Sequence, residues 1–144
     1  MVGNSDMDLL EKTYQNATIG ITALEAVLHK STGVEFNNAL HRQLEDYRKI
    51  VDKTKEQLKL NDVQVKDRPA YEKAMMKGNV KMNTLINSSD SHIAQMVIQG
   101  STMGITQMTK LLNSKPNVDG ASAQIAKDFI HKEQDNIEEM KKFL

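Results

Sequence analysis

The chain has 144 residues with 19 basic and 19 acidic side chains, and it contains no cysteine. Zero net charge gives no electrostatic attraction to nucleic acid or an anionic membrane, and the lack of cysteine excludes disulfides and thiolate metal sites. The first residues lack the basic and apolar regions of a signal peptide, and no apolar run reaches the ~18 residues of a membrane span. We therefore expect one cytoplasmic domain over residues 1–144, with neither nucleic acid nor membrane as a partner.

The first two predicted helices form a hairpin. The first, over about residues 7–30, carries a stripe whose spacing alternates between three and four: Met7, Leu10, Tyr14, Ala17, Ile21, Leu24 and Leu28. The second, from residue 34 or 35 to about 60, has a similar stripe: Leu40, Leu44, Tyr47, Val51, Thr54 and Leu58. Stripes of this kind are typical of long helices packed nearly parallel to one another. Gly33 suits the short connection, which makes the two helices antiparallel neighbours.

The second half of the chain predicts another hairpin after a long connection. Pro69 indicates the start of an extra helix over about 70–87, and the polar residues 87–90 indicate a break and an N-cap. A third long helix follows, and after a turn at 113–117 a fourth covers about 119–144. Roughly 28 residues at ~1.5 Å each can run back along a bundle, so the third helix should lie parallel to the second. One long crossover between two hairpins is the connection of ferritin-like bundles.

Two stretches carry a resemblance to a known family. Residues 93–105, IAQMVIQGSTMGI, and residues 136–144, NIEEMKKFL, resemble segments of small ferritin-like proteins of spore-forming Gram-positive bacteria. The general plan is also similar to that of spore-coat F-like bundles. The resemblance implies an all-α, ferritin-like four-helix bundle with a long crossover carrying an extra helix. It implies no reaction, because these relatives mostly lack an assigned activity.

The ligand pattern of a di-iron centre is missing from the sequence. Ferritin-like centres take a Glu from each of two helices and a Glu-x-x-His from each of the other two. Here Glu45 is followed at that spacing by Arg48, and Glu133 is followed by Asn136. We therefore expect no di-iron centre, no ferroxidase activity and no other cofactor.

A weaker polar layer remains as a candidate site. Glu25, His41, Glu45 and Glu133 fall at similar heights of the predicted bundle. They could form a one-metal or proton-handling site, or a hydrogen-bonded layer that fixes helix register. Glu133 interrupts the apolar stripe of the last helix, so it should point inward and have a protein partner. His41 is the first candidate for that partner, and a glutamine of the third helix is the second.

Three functions are compatible with the sequence. We expect a non-enzymatic bundle acting through self-association or a protein partner, in a spore or stress context as the resemblance implies. The first alternative is a metal-binding or redox protein with a degenerate site. The second is a binder of a small apolar ligand, using a cavity among the Met and Gly residues of the third helix. Gly100 and Gly104 could mark such a pocket or simply let two helices approach closely.

Overall fold

The structure, a computed structural model, describes residues 4–62 and 89–144. These residues form four α-helices and no strand: α1 (Asn4–Leu28), α2 (Val34–Leu60), α3 (Asp90–Asn113) and α4 (Ala121–Lys141). The predicted extra helix near 70–87 lies outside the described residues. The fourth helix begins later than predicted because Gly120 has a φ of 82°, a left-handed conformation that glycine adopts freely.

Contacts at the two ends of the bundle establish the topology. The Asp90 carboxylate, at the start of α3, accepts hydrogen bonds from the backbone N–H groups of Thr32 and Gly33 in the α1–α2 connection. At the other end, Lys115 pairs with Asp8 at 3.0 Å. The third helix therefore begins where α2 begins and runs parallel to it, as predicted. An up-down-up-down order would have reversed α3.

The apolar stripes predicted from the sequence form the core. In α1, five of the seven stripe residues are buried, and Met7 and Leu28 pack against the core near its ends. The largest fully buried apolar side chains come from all four helices: Phe36, Phe129, Leu9, Leu10, Leu40, Leu58, Ile93, Met108 and Met140. No helix within residues 4–62 and 89–144 is long and apolar enough to cross a bilayer.

Packing is uneven along α3. Its buried residues are Ile93, Ala94, Ser101, Gly104 and Met108, whereas α1 buries nine residues. Between Ala94 and Met108, the buried positions of α3 carry only a hydroxymethyl group and a hydrogen. Val97 and Ile98 pack against the core but are only partly buried, so the middle turns of the helix leave space facing α1, and this position holds the candidate site.

Candidate functional site

A buried carboxyl group lies at the centre of the bundle. Glu133 of α4 is 3% exposed, and its Oε1 accepts hydrogen bonds from the Tyr47 hydroxyl of α2 and, at 3.4 Å, from the side-chain amide of Asn136. The Tyr47 ring packs against that of Phe129, with 6.2 Å between the ring centroids. Two side chains, one from α2 and one from α4, thus hold the carboxyl in one orientation. The inward phase predicted for Glu133 is confirmed.

Burial changes the protonation chemistry of this cluster. Loss of hydration raises the pKa of Glu133 from 4.5 to about 7, although hydrogen bonds from Tyr47, Asn136 and Ser101 act in the opposite direction. Burial also raises the pKa of Tyr47 well above 10, and the charge of Glu133 adds to that rise. The tyrosine therefore stays a hydrogen-bond donor, while Glu133 exchanges its proton near neutral pH.

Two glycines make room for the Tyr47–Glu133 pair. A Cβ atom at Gly104 of α3 would lie 2.9 Å from Glu133 Oε2, and one at Gly20 of α1 would lie 2.8 Å from the Tyr47 ring. Both distances are shorter than a normal van der Waals contact. The carboxyl and the phenol therefore occupy the volume that larger side chains on α1 and α3 would need.

A cavity of about 160 Å³ borders the same group. It lies mainly between α1 and α3, and its lining is predominantly apolar. The described residues that line it include Ile19, Ala23, Met96, Val97, Gly100, Met103 and Phe129. Glu133, Ser101 and Tyr47 contribute the polar part of the wall on one side, and Asn16 and Gln107 add two amides.

Ser101 has an unusual position in this wall. Its side chain is 2% exposed and lies close enough to Glu133 and Tyr47 to lower the pKa of both. Its Oγ is inaccessible and lies near the Glu133 carboxyl and the Tyr47 hydroxyl in imperfect hydrogen-bond geometry. Ser101 therefore belongs to the buried polar cluster around Glu133.

The structure does not bring the four predicted layer residues together. Glu25 and Glu45 are exposed and lie 3.5 and 3.9 Å from Arg48, and His41 is also exposed. Glu25 and Glu45 lie close to each other along the bundle, as expected, but their side chains point outward from their helices. The partner predicted for Glu133 was wrong, because Tyr47 of α2 lies opposite it and His41 lies six residues away on the outer face.

The residues that the sequence did not assign to the site are Tyr47, Asn136, Ser101 and Gly20. Tyr47 stood in the apolar stripe of α2, where a tyrosine hydroxyl needs a buried partner. Asn136 stood three residues after Glu133, the i, i+3 spacing at which two side chains share one face of a helix. Both signals were available, but neither showed which residue of another helix would be opposite.

The polar side chains around Glu133, which are Tyr47, Asn136 and Ser101, do not provide the ligands of a di-iron centre. Such a centre needs several carboxylates and two imidazoles. The cluster around Glu133 offers one carboxyl, one phenol, one amide and one hydroxyl. Across residues 4–62 and 89–144 there is no group of three or more His, Cys, Asp or Glu side chains placed to hold a metal ion. The lack of ferroxidase activity stays a prediction.

Comparison with known proteins identifies the fold. No protein-family model and no curated protein sequence matches the chain. Solved structures do: the dodecameric thioferritin from Bacteroides fragilis, a bacterioferritin-related protein, has a TM-score of 0.77 at 11% identity, covering 99% of this chain and 86% of that one. The fold is ferritin-like.

Two other solved structures are similar over nearly the whole chain. One is YcfI from Rhodopseudomonas palustris, for which a structural role is suggested, with a TM-score of 0.71 at 13% identity over 97% of this chain and 94% of that one. The other is the Escherichia coli stress protein YciF, with a TM-score of 0.68 at 14% identity over 99% and 94%. At these identities the similarity defines the fold and assigns no function.

Proposed function

We propose that this protein is a non-enzymatic ferritin-like bundle that binds a small, predominantly apolar molecule in the mid-bundle cavity. The observation that carries the proposal is the cavity of about 160 Å³ between α1 and α3. The cavity is partly open to solvent, because Met103 and Gly100 in its lining are exposed. An apolar cavity of ~150 Å³ is large enough to bind benzene. A ligand with one six-membered ring matches this space.

The composition of the wall supports the same proposal. Methionine side chains adapt to ligands of different shape, and Met96 and Met103 both line the cavity. Gly100 keeps the α3 side open, since a Cβ atom there would meet nothing within 4 Å. The location agrees with the second alternative drawn from the sequence, a cavity among the Met and Gly residues of this helix.

Ligand-induced stabilisation tests the proposal. Benzene, toluene and cyclohexane are titrated into the purified protein, and thermal unfolding is recorded at each concentration. Mass action predicts that the melting temperature rises with ligand concentration, because the ligand binds the folded state. If none of the three changes the melting temperature up to its solubility limit, the proposal is wrong.

A matched pair of variants localises the effect. Ala23 lines the cavity, whereas Ala26, also half-buried on α1, is not among its lining residues. Ala23→Leu narrows the cavity and should abolish the ligand-induced rise. Ala26→Leu adds the same side chain elsewhere on the helix and should retain the rise. Equal rises in both variants would place the binding site elsewhere.

Self-association is the second candidate function. Large apolar side chains are exposed at both ends of α2 and at the end of the chain, with Val34 77%, Leu60 71% and Leu144 63% exposed. One structure with this fold is a dodecamer. Light scattering after size exclusion, over a range of protein concentrations, should give one discrete oligomer, and a monomer at all concentrations would contradict this proposal. A spore or stress context is part of this second proposal and is supported by the family resemblance alone.

A degenerate metal site has less support. Glu133 is the single carboxyl of the mid-bundle layer among the described residues, and Glu25 and Glu45 lie on the surface beside Arg48. Elemental analysis of protein purified in air without chelator addresses this alternative. Two equivalents of iron per chain would favour it over the small-ligand proposal.

A further inference from the structure

The mid-bundle cavity adjoins an open groove between the same two helices. Gln107 of α3 lines both the cavity and the groove. On α1 the cavity lining ends at Asn16, and the groove lining begins at the adjacent Gln15 and continues to Asp8. The two spaces are therefore consecutive parts of one cleft between α1 and α3. The cleft runs from the middle of the bundle toward the start of α1.

The two parts of the cleft differ in polarity. The cavity lining is predominantly apolar, whereas the described lining of the groove consists of polar and charged side chains apart from Leu111. Apolar surface gains most from contact with apolar surface, and a charged group needs water or a partner. A molecule that lies along the whole cleft would therefore have an apolar end in the cavity and a polar end in the groove.

The charges of the groove favour a negative end. Lys12 and Lys110 line it together with Asp8 and Glu11. Asp8 is already paired with Lys115 at 3.0 Å, whereas Lys110 forms no ion pair with any residue of 4–62 or 89–144. Two ammonium groups and one carboxylate then remain. The start of α1 and the end of α3 meet here, so their opposite dipole charges largely cancel and the side chains decide.

Glu133 determines which way such a molecule lies. Its carboxyl contributes to the cavity wall, and a second carboxylate brought into this desolvated space would be repelled by it. No comparable cost arises in the open groove, where the lysines attract a negative charge. The anionic group is therefore excluded from the cavity and attracted to the groove.

We infer that the ligand is an amphipathic carboxylate, with its ring in the cavity and its carboxylate beside Lys12 and Lys110. This inference rests on the proposed ligand-binding function and names the ligand class of the same site. Gly100 and Lys110 are ten residues apart on α3, a distance of ~15 Å. About six methylenes, each advancing ~1.3 Å, cover half of that distance, and a lysine side chain has a similar reach.

Calorimetry with 6-phenylhexanoate and 6-phenylhexanol tests the head group, because the two differ in charge and share the ring and chain. The wild type is compared with Lys12→Gln/Lys110→Gln at pH 8 and low salt. We expect the double variant to bind the carboxylate about 3–10-fold more weakly, the scale of two exposed ion pairs, and the alcohol unchanged. Lys127→Gln/Lys142→Gln removes the same charge from exposed positions outside the cleft and should change neither affinity.

The length of the chain provides a second test. Phenylacetate places its carboxylate beside Glu133 when its ring is in the cavity, so it should bind more weakly than both toluene and 6-phenylhexanoate. Ala23→Leu narrows the cavity and should weaken 6-phenylhexanoate as well as toluene. Raising the salt concentration to ~0.5 M should reduce the preference for the carboxylate over the alcohol, since the groove is open to solvent.

The remaining outcomes separate the inference from the proposed function. If toluene binds but 6-phenylhexanoate binds no more tightly than 6-phenylhexanol, the anionic head group is wrong and the apolar site stands. Tighter binding of 6-phenylhexylamine than of the carboxylate, or carboxylate binding that Ala23→Leu leaves unchanged, also overturns the inference. If neither toluene nor 6-phenylhexanoate binds the wild type, both the inference and the proposed function fail.

Discussion

Two carboxylates join helices in this bundle, and each lies against a glycine. Asp90 accepts from the N–H groups of Thr32 at 2.9 Å and Gly33 at 2.8 Å, and a Cβ at Gly33 would lie 2.8 Å from its Oδ2. Glu133 accepts from Tyr47 and Asn136 and lies against Gly104 in the same way. Asp90 is partly exposed at one end of the bundle, whereas Glu133 is buried at its middle.

The difference between them separates a structural carboxylate from a candidate functional one. Both oxygens of Asp90 are bonded to backbone groups, so it fastens the start of α3 to the α1–α2 connection. Glu133 is held by side chains, has a raised pKa and borders a cavity. Buried groups with perturbed pKa values in clefts are frequent at functional sites. Variants at and beside the two carboxylates test whether they differ in this way.

The largest expected effect is the pH dependence of stability at Glu133. Below pH 4.5 the carboxyl is protonated in both folded and unfolded states. Between pH 4.5 and about 7 the unfolded chain has released the proton and the folded one retains it, so stability falls as pH rises, by an amount on the order of 3 kcal/mol. Glu133→Gln should remove this fall and be more stable than the wild type at pH 8.

Denaturant unfolding at pH 4.5, 6 and 8 measures this effect as the difference between wild type and variant. Glu25→Gln is the control, because Glu25 is exposed beside Arg48 and its loss should leave the fall in place. A constant difference between Glu133→Gln and the wild type across these pH values would show that Glu133 titrates as an exposed carboxyl does.

The second prediction compares two glycines one turn apart on α3. Gly100→Ala places a methyl in open space and should stabilise the helix by about 0.5–1 kcal/mol. Gly104→Ala gains the same propensity but forces its methyl against Glu133 Oε2, and overpacking a core costs about 1–3 kcal/mol. We expect Gly104→Ala to be less stable than Gly100→Ala by about 1–3 kcal/mol in urea unfolding. Equal stabilities would mean that the carboxyl moves aside without cost.

The third prediction concerns Asp90 and is the smallest. Asp90→Ala removes two hydrogen bonds at a partly exposed site, which should destabilise the bundle by about 1 kcal/mol. Asp90→Asn keeps one acceptor oxygen and should fall between the wild type and Asp90→Ala. Urea unfolding at pH 7 gives the three values. A loss at Asp90 larger than that caused by Gly104→Ala would reverse the contrast drawn between the two sites.

The sequence predicted the fold better than the site, and the reason is physical. Helix order and direction follow from three features of the sequence: the apolar stripes in α1 and α2, the short connection at Gly33 and the long stretch before Asp90. The inward position of Glu133 followed from the same periodicity. The partner of Glu133 could not be predicted in this way. The residue opposite Glu133 depends on the rotation and height of α2 relative to α4, and the packing of the whole core determines both.

The cavity shows the same limit. Gly100 and Gly104 indicated a pocket or a close helix contact, and the sequence could not decide between them. In the structure they differ: Gly104 meets Glu133, whereas Gly100 faces open space. Glu25 and His41 were predicted to share a polar layer because they lie at similar heights on two helices. Both are exposed, since similar height does not make two side chains face each other.

The most direct measurement is a ¹³C NMR titration of the Glu133 carboxyl with and without saturating toluene, assigned with Glu133→Gln. Without ligand, a midpoint near pH 7 is expected. Toluene in the cavity replaces nearby water, which disfavours the charged form, so the midpoint should rise and toluene should bind more tightly at low pH. A carboxyl that titrates near pH 4.5, or a midpoint that toluene leaves unchanged, would contradict a ligand site beside Glu133.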